Sequence, residues 1–206
     1  MTNQKTVTSV SAAVLLTLLS TALFAQGSAE AGAEKITTCN ACHGETGNAS
    51  VLPNVPKLGG QGEPYLLKQM QEIKSGVRPV PLMAGMLDPW NEQDLADIAA
   101  YYAGQPDPLG AAEEEKLALG EELYRAGEPT IGVAACTACH APNGKGIDTA
   151  GYPSLSGQDV AYTEMQLKAF RAGERSNDEA EIMRTITSRL TDAEIAALAS
   201  YVSGLR

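Results

Sequence analysis

The sequence predicts an all-α protein built by tandem duplication of one helical domain. The pentapeptide C-x-x-C-H occurs twice, at 39–43 and at 136–140. The residues that follow the second copy repeat those that follow the first at a nearly constant offset. No segment shows the two-residue alternation of apolar and polar side chains that is typical of half-buried β-strands.

The internal repeat predicts how the chain divides. The two pentapeptides lie 97 residues apart, and a three-residue insertion in the second copy later changes the offset to 100. A period this long indicates duplication of a domain, because solenoid units span roughly 20–50 residues. Each half is therefore expected to have its own core. Residues that match across the repeat include Gln61 and Gln158, Tyr65 and Tyr162, Gln69 and Gln166, Arg78 and Arg175, and Met83 and Met183.

Helix start and stop residues predict three helices in the first half. A short opening helix is expected near 29–37. A second helix runs from Pro64, which is tolerated in the first turn of a helix, to about Ser75. The closing helix has Asn91 as its N-cap, and its apolar face is formed by Leu95, Ile98 and Tyr102.

The second half repeats this pattern. An opening helix is predicted over Glu113–Arg125 and a second helix over Asp159–Ala172. Before the closing helix, Thr191 and Glu194 have the spacing of a capping box, in which a hydroxyl and a carboxylate each bond to a backbone N–H. The apolar face of that helix is formed by Ile195, Leu198 and Val202.

The first 25 residues are predicted to be a secretory signal peptide. Lys5 is the only charge before an apolar run of 16 residues, shorter than the roughly 20 residues that span a membrane. Cleavage as late as residue 31 and an uncleaved anchor are the alternatives. The remaining chain is predicted to form an N-terminal domain at 26–104, a turn-rich linker at 105–112 and a C-terminal domain at 113–206.

The pentapeptides predict two covalently bound haem c groups. In C-x-x-C-H, two thiols reach one porphyrin and the next imidazole reaches its iron. Both copies together use every cysteine and histidine of the chain. The predicted attachment residues are Cys39, Cys42, Cys136 and Cys139, and the predicted iron ligands are His43 and His140. A zinc site of four cysteines, a redox C-x-x-C and disulfides are the alternatives, but a zinc site leaves the histidines unexplained.

The repeat also predicts the second axial ligand of each iron. Methionine is the soft thioether ligand opposite histidine in electron-transfer cytochromes. Met83 and Met183 are the only methionines at equivalent positions of the two halves, so we predict that they bind the irons. Met86, three residues from Met83, is the competing candidate.

Second contacts of the haem ligands are predicted from spacing. Pro56 and Pro153 each lie 13 residues after a pentapeptide histidine, and their carbonyls are predicted to accept the second ring N–H of His43 and His140. Tyr65 and Tyr162 begin matching helices and are expected to be core residues. Hydrogen bonds to a haem propionate, or to each other between the halves, are the alternative.

Charge and residue inventory limit the function. A formal net charge of −10 argues against nucleic-acid binding and against adsorption to anionic lipid. It favours a basic partner surface, although adaptation to habitat would also explain it. With every histidine and cysteine committed to haem, no catalytic group is left. We therefore predict an electron carrier and no enzyme. A dihaem peroxidase, a thiosulfate-oxidising dehydrogenase and a cytochrome subunit of a flavin sulfide dehydrogenase are the alternatives.

Three sequence segments resemble the dihaem cytochrome c4 family. They are PKLGGQGEPYLLKQMQEIK, MAGMLDPWNEQDLADIAAYYAG and ACTACHAPNGKGI, and the likeness covers essentially all of the chain beyond the leader. The resemblance implies two class I cytochrome c domains related by a pseudo-twofold axis, with irons bound by His43 and Met83 and by His140 and Met183. It also implies periplasmic electron delivery, from a quinol-oxidising complex or dehydrogenase to a terminal oxidase, and loose membrane association. The loop at 77–82 is shorter than in some relatives.

Overall fold

The computed structural model describes residues 27–50 and 52–206, so the predicted signal peptide lies outside the described residues. Within these ranges the chain is helical and contains two isolated β-bridges but no strand. The all-α prediction is confirmed. The described α-helices are α1 (Ala29–Ala33), α2 (Thr37–His43), α3 (Glu63–Lys74), α4 (Glu92–Ala103), α5 (Glu114–Ala126), α6 (Thr137–His140), α7 (Val160–Ala172), α8 (Ile182–Thr187) and α9 (Asp192–Gly204).

Equivalent helices pack in the same way in the two halves. Helix α4 packs against α1 and α3, and α9 packs against α5 and α7. The predicted apolar faces of the closing helices are confirmed, because each lies in the core of its half. The exposed fractions are 1% for Leu95, 1% for Ile98, 2% for Tyr102, 0% for Ile195, 4% for Leu198 and 3% for Val202.

Both closing helices start at the predicted caps. The Asn91 side chain accepts from the N–H of Asp94 at 3.0 Å, and the Asn91 N–H donates to the Asp94 carboxylate at 3.0 Å. The Thr191 hydroxyl accepts from the N–H of Glu194 at 3.3 Å, and the Glu194 carboxylate accepts in return at 2.7 Å. Each box satisfies backbone groups that the first turn leaves unpaired, so local sequence alone positions these two helices.

The opening helix of the first half differs from its prediction. The segment expected as one short helix near 29–37 is divided, since α1 ends at Ala33 and α2 begins at Thr37. The turn between them places Ile36 in the core with 4% of its surface exposed. Burial of a whole isoleucine side chain contributes roughly 2 kcal/mol, so this contact stabilises the observed turn.

The interface between the two halves is polar and reciprocal. The Gln61 side chain exchanges hydrogen bonds with the backbone of Ser154, at 2.9 and 2.8 Å. The matching Gln158 does the same with the backbone of Lys57, at 2.9 and 2.8 Å. Such exchanged contacts between matching residues are what a pseudo-twofold relation requires.

The expectation that Tyr65 and Tyr162 are core residues is wrong. Both are only half-buried, and both hydroxyls accept a hydrogen bond from the other half. Arg175 donates to Tyr65 at 3.0 Å, and Arg78 donates to Tyr162 at 3.0 Å. A phenol can keep its ring against apolar neighbours while its hydroxyl pairs with a polar partner, and here that partner is a guanidinium.

Candidate haem sites

Short helices present the cysteines of both pentapeptides. Cys39 and Cys42 lie three residues apart on α2, and Cys136 is the N-cap residue of α6, which contains Cys139. All four cysteine side chains are half-buried. Burial raises the pKa of Cys39, and it raises the pKa of Cys136 to about 11.

Each histidine is held in one orientation by a proline carbonyl. His43 Nδ1 lies 3.0 Å from the Pro56 oxygen, and His140 Nδ1 lies 2.9 Å from the Pro153 oxygen. A carbonyl only accepts, so Nδ1 carries the proton and donates, which leaves the Nε2 lone pair available to a metal. Burial lowers the pKa of both imidazoles, opposed in part by the carbonyl, and favours the neutral form that binds a metal.

The two candidate methionine ligands sit in different local structures. Met83 ends a short 3₁₀ turn, Pro81–Met83, whereas Met183 lies in the first turn of α8. Both are half-buried, while Met86 exposes 39% of its surface. Burial thus ranks Met83 above Met86, although its role as a ligand stays a prediction.

Two buried guanidiniums provide a test of whether the haem fits. Arg78 and Arg175 are 7% and 8% exposed, and neither forms an ion pair with a carboxylate in the described part of the chain. Their partners are neutral, among them Gln69 and Gln166, each of which accepts from both arginines at 2.7–3.0 Å. An unpaired buried cation costs several kcal/mol. Haem carries propionate carboxylates, so the residues fit the group.

The apolar surroundings fit the haem as well. Cys39 and the half-buried side chains of Leu58 and Met70 all pack against the first core. Cys136, Leu155 and Ile186 pack in the same way against the second core. These half-buried apolar side chains are of the kind that a porphyrin face would cover.

Sequence reasoning used the matched interface residues only to align the repeat. Gln61, Gln69, Arg78 and their counterparts hold the two halves together. One sequence feature could have indicated their role. The same long polar side chains occur at matching positions of the two halves, whereas most surface positions differ between the halves. Which residue of the other half each one meets depends on the arrangement of the halves, which a single sequence does not specify.

Two other kinds of site are absent from the described residues. Among residues 27–50 and 52–206, no group of three or more His, Cys, Asp or Glu side chains is placed to hold a metal ion. In the same ranges, no helix has both the length and the apolar character that a membrane crossing needs.

Comparison with known proteins identifies the family. A family model described as Cytochrome c matches residues 29–104 and 117–206, one match in each half. The chain is 50% identical over 203 residues to cytochrome c4 of Azotobacter vinelandii, which covers 93% of this chain and 96% of that relative. The chain belongs to the cytochrome c4 family. It is therefore an electron-transfer protein with covalently bound haem c, not an enzyme, and it exchanges electrons with redox partner proteins.

Two further relatives bear on fold and on partners. The crystal structure of reduced recombinant cytochrome c4 from Pseudomonas stutzeri superimposes with a TM-score of 0.85 at 50% identity, covering 87% of this chain and all of that one. This confirms the fold of two cytochrome c domains. A protein of Thiomonas intermedia named thiosulfate dehydrogenase electron acceptor is 36% identical over 173 residues, covering 81% of this chain and 77% of that relative.

Proposed function

We propose that this dihaem cytochrome carries single electrons in the periplasm between respiratory-chain components, toward a terminal oxidase. The observation that carries the proposal is that each half has its own buried histidine, oriented by a proline carbonyl, and its own half-buried methionine at the equivalent position. With a histidine and a methionine at each haem, neither iron would offer a substrate an open position. Outer-sphere electron exchange is then the chemistry that remains.

The proposed site residues have separate tasks. Cys39, Cys42, Cys136 and Cys139 would anchor the haems by thioether bonds, and His43 and His140 would bind the irons through Nε2. Met83 and Met183 would each supply a thioether to an iron, and this would raise its reduction potential. Pro56 and Pro153 fix the imidazole rings. The haem supplies reversible one-electron exchange, and the protein supplies orientation and a dry pocket.

The proposed location and domain limits rest on the sequence. Residues 1–25 export the chain to the periplasm as a signal peptide, followed by domains at 26–104 and 113–206 joined by the linker at 105–112. The net charge of −10 favours at most a loose association with membranes, through a partner protein rather than through anionic lipid.

Two classes of donor are proposed. One is a quinol-oxidising complex, with a terminal oxidase as the acceptor. The other is a periplasmic dehydrogenase, a role supported by the name of the Thiomonas relative, a thiosulfate dehydrogenase electron acceptor. A permanent cytochrome subunit of a larger dehydrogenase, such as a flavin sulfide dehydrogenase, is a third arrangement, and co-purification distinguishes it.

The test uses the reduced holoprotein. It should bind carbon monoxide slowly or not at all and should show negligible peroxidase turnover, because neither iron has an open position. It should be oxidised rapidly by membranes that contain a terminal oxidase, and its oxidised form should be reduced by a thiosulfate dehydrogenase if that class is the donor. Rapid carbon monoxide binding by native protein, or substrate turnover without a partner, would contradict the proposal.

A further inference from the structure

The segment that leads to each proposed methionine ligand differs in length between the halves. Four residues separate Arg78 from Met83, whereas seven separate Arg175 from Met183, and the three additional residues are the insertion in the repeat. Both arginines cross to the other half in the same way, since each donates to a tyrosine hydroxyl there at 3.0 Å. The two segments therefore start alike and differ only after the arginine.

Beyond the methionines, the chain is again held alike in the two halves. Lys74, at the end of α3, donates to the carbonyl of Trp90. Its counterpart Arg171, near the end of α7, donates at 2.9 Å to the carbonyl of Leu190, which matches Trp90 in the repeat. The difference between the halves thus lies in the residues between the arginine and the methionine.

In the second half, the insertion contacts a helix of the first half. The Asn177 amide donates to the Glu72 carboxylate at 2.6 Å and to the Gln69 side chain at 2.9 Å, both on α3. Lys68 Nζ of the same helix donates to the Asn177 carbonyl at 2.9 Å. The contact has no counterpart in the other direction, because α7 has Ala169 at the position of Glu72, and a methyl group cannot accept a hydrogen bond.

The next residue extends this contact to the helix of Met183. Asp178 accepts from the Arg184 N–H at 2.9 Å and from Arg184 Nε at 2.7 Å. That N–H belongs to the first turn of α8, where the helix itself supplies no acceptor, and Met183 lies in the same turn. Between Asp178 and α8, Ala180 and Glu181 have φ values of 49° and 58°. Such left-handed residues cost roughly 1–3 kcal/mol each and persist only where surrounding contacts hold them.

The first half constrains its shorter segment within the backbone. Pro79 and Pro81 both lie between Arg78 and Met83, and each proline ring fixes its own φ angle. The segment 176–182 of the second half contains no proline. Its conformation therefore depends on the side-chain contacts of the insertion.

We propose that Asn177 and Asp178 form a latch through which the first half holds Met183 on the second iron. The inference rests on the proposed function, because it requires Met183 to be an iron ligand. The contact of Asn177 with Glu72 fixes the insertion, and Asp178 fixes the turn of α8 that contains Met183. Asn177 and Asp178 are thus positioning residues, and loss of the latch should release the second methionine but not the first.

Cyanide binding to oxidised, fully loaded protein tests this. An external ligand needs the position that a methionine vacates, so its binding rate reports how often local opening frees each iron. Stopped-flow mixing at neutral pH should give equal absorbance changes for the two irons. Asn177→Ala and Glu72→Ala should each accelerate half of the change about tenfold, because a hydrogen bond to a charged group is lost, and should leave the other half at the wild-type rate.

Matched variants assign the accelerated half and exclude general damage. In a Met83→Ala background, where the second iron alone keeps its methionine, Asn177→Ala should accelerate the remaining slow phase. In a Met183→Ala background it should not. Glu72→Gln keeps an oxygen that accepts from Asn177 and should retain wild-type rates, as should Gln71→Ala, at an exposed site of the same helix. Before mixing, the far-red band of methionine-bound iron should be complete in both latch variants.

Several outcomes would overturn the inference. Equal acceleration at both irons would show that Asn177 supports the interface in general and does not position Met183. Unchanged rates in Asn177→Ala and Glu72→Ala, or acceleration at the first iron alone, would remove the latch while leaving the carrier function standing. If Met183→Ala kept the whole far-red band, Met183 would not be a ligand, and that part of the proposed function would fail together with the latch.

Discussion

Individual residues determine how each haem would be held. Some of these residues make the same contacts in both halves, and others do not. The proline carbonyls that orient His43 and His140 lie 13 residues from their rings in both halves. This hydrogen bond could be predicted from the sequence, because the proline follows the histidine at the same spacing in both halves of the repeat. The tyrosine hydroxyls at the interface were not, because their arginine partners lie 84 and 110 residues away in the other half.

Met83 and Met86 can be separated by substitution. Met83→Ala should remove about half of the far-red absorption of methionine-bound iron and should lower one reduction potential, since the thioether raises it. Met86→Leu should leave the band intact, because its more exposed side chain is replaced by one of similar volume. A band lost in Met86→Leu and kept in Met83→Ala would show that the repeat alignment had chosen the wrong residue.

At the scale of helices, one buried carboxylate on α4 connects this helix to a neighbouring one. Asp97, 4% exposed, accepts from Lys35 Nζ at 2.6 Å, from the Ser28 N–H at 2.9 Å and from the Gln93 side chain at 2.9 Å. It thereby ties α1 to α4. The caps and apolar faces of the closing helices follow from residues three and four apart, so sequence predicted them. The division between α1 and α2 was missed, because no capping side chain marks the start of α2.

Asp97→Asn should lower the unfolding free energy of the holoprotein by about 2–3 kcal/mol, because hydrogen bonds to a charged group are lost in a buried place. Burial alone would raise the pKa of Asp97, but the bonds from Lys35, Ser28 and Gln93 outweigh it and lower the pKa.

The pH dependence has a definite sign. The contribution of Asp97 is fully present above the ordinary carboxyl value of 3.8 and is lost as pH falls through the lower folded value. Urea unfolding at pH 7 and in acid should therefore show the difference between wild type and Asp97→Asn shrinking below about pH 4. Glu92→Gln, at an exposed site of the same helix, should cost at most about 0.5 kcal/mol at either pH. A difference that persists in acid would contradict the ion-pair explanation.

At the scale of the whole molecule, the two halves are joined through matched polar side chains rather than an apolar core. Gln61 and Gln158 are 8% and 7% exposed, and each satisfies one N–H and one carbonyl of the other half. The duplication itself was predictable, because the two pentapeptides and the offset between them are visible in the sequence. The pairing of the halves was not, since it depends on distances between residues about 100 positions apart.

Replacing both glutamines by alanine should separate the unfolding of the halves. Each change leaves two backbone groups without their partner, at about 1–3 kcal/mol for each group that stays buried. Calorimetry of holoprotein should then show two resolved transitions where wild type shows a single, more cooperative one. Gln71→Ala, at an exposed site of α3, serves as the control and should unfold like wild type. A single unchanged transition in the double variant would place the coupling elsewhere.

The central claim is that each half holds one haem through its own pair of cysteines, and intact-mass spectrometry after acid–acetone extraction tests it most directly. Wild-type protein should retain the mass of two haem groups. Cys39→Ala/Cys42→Ala and Cys136→Ala/Cys139→Ala proteins should each retain the mass of one. Haem that extraction removes from wild type, or two haem groups that remain on either double variant, would contradict the account.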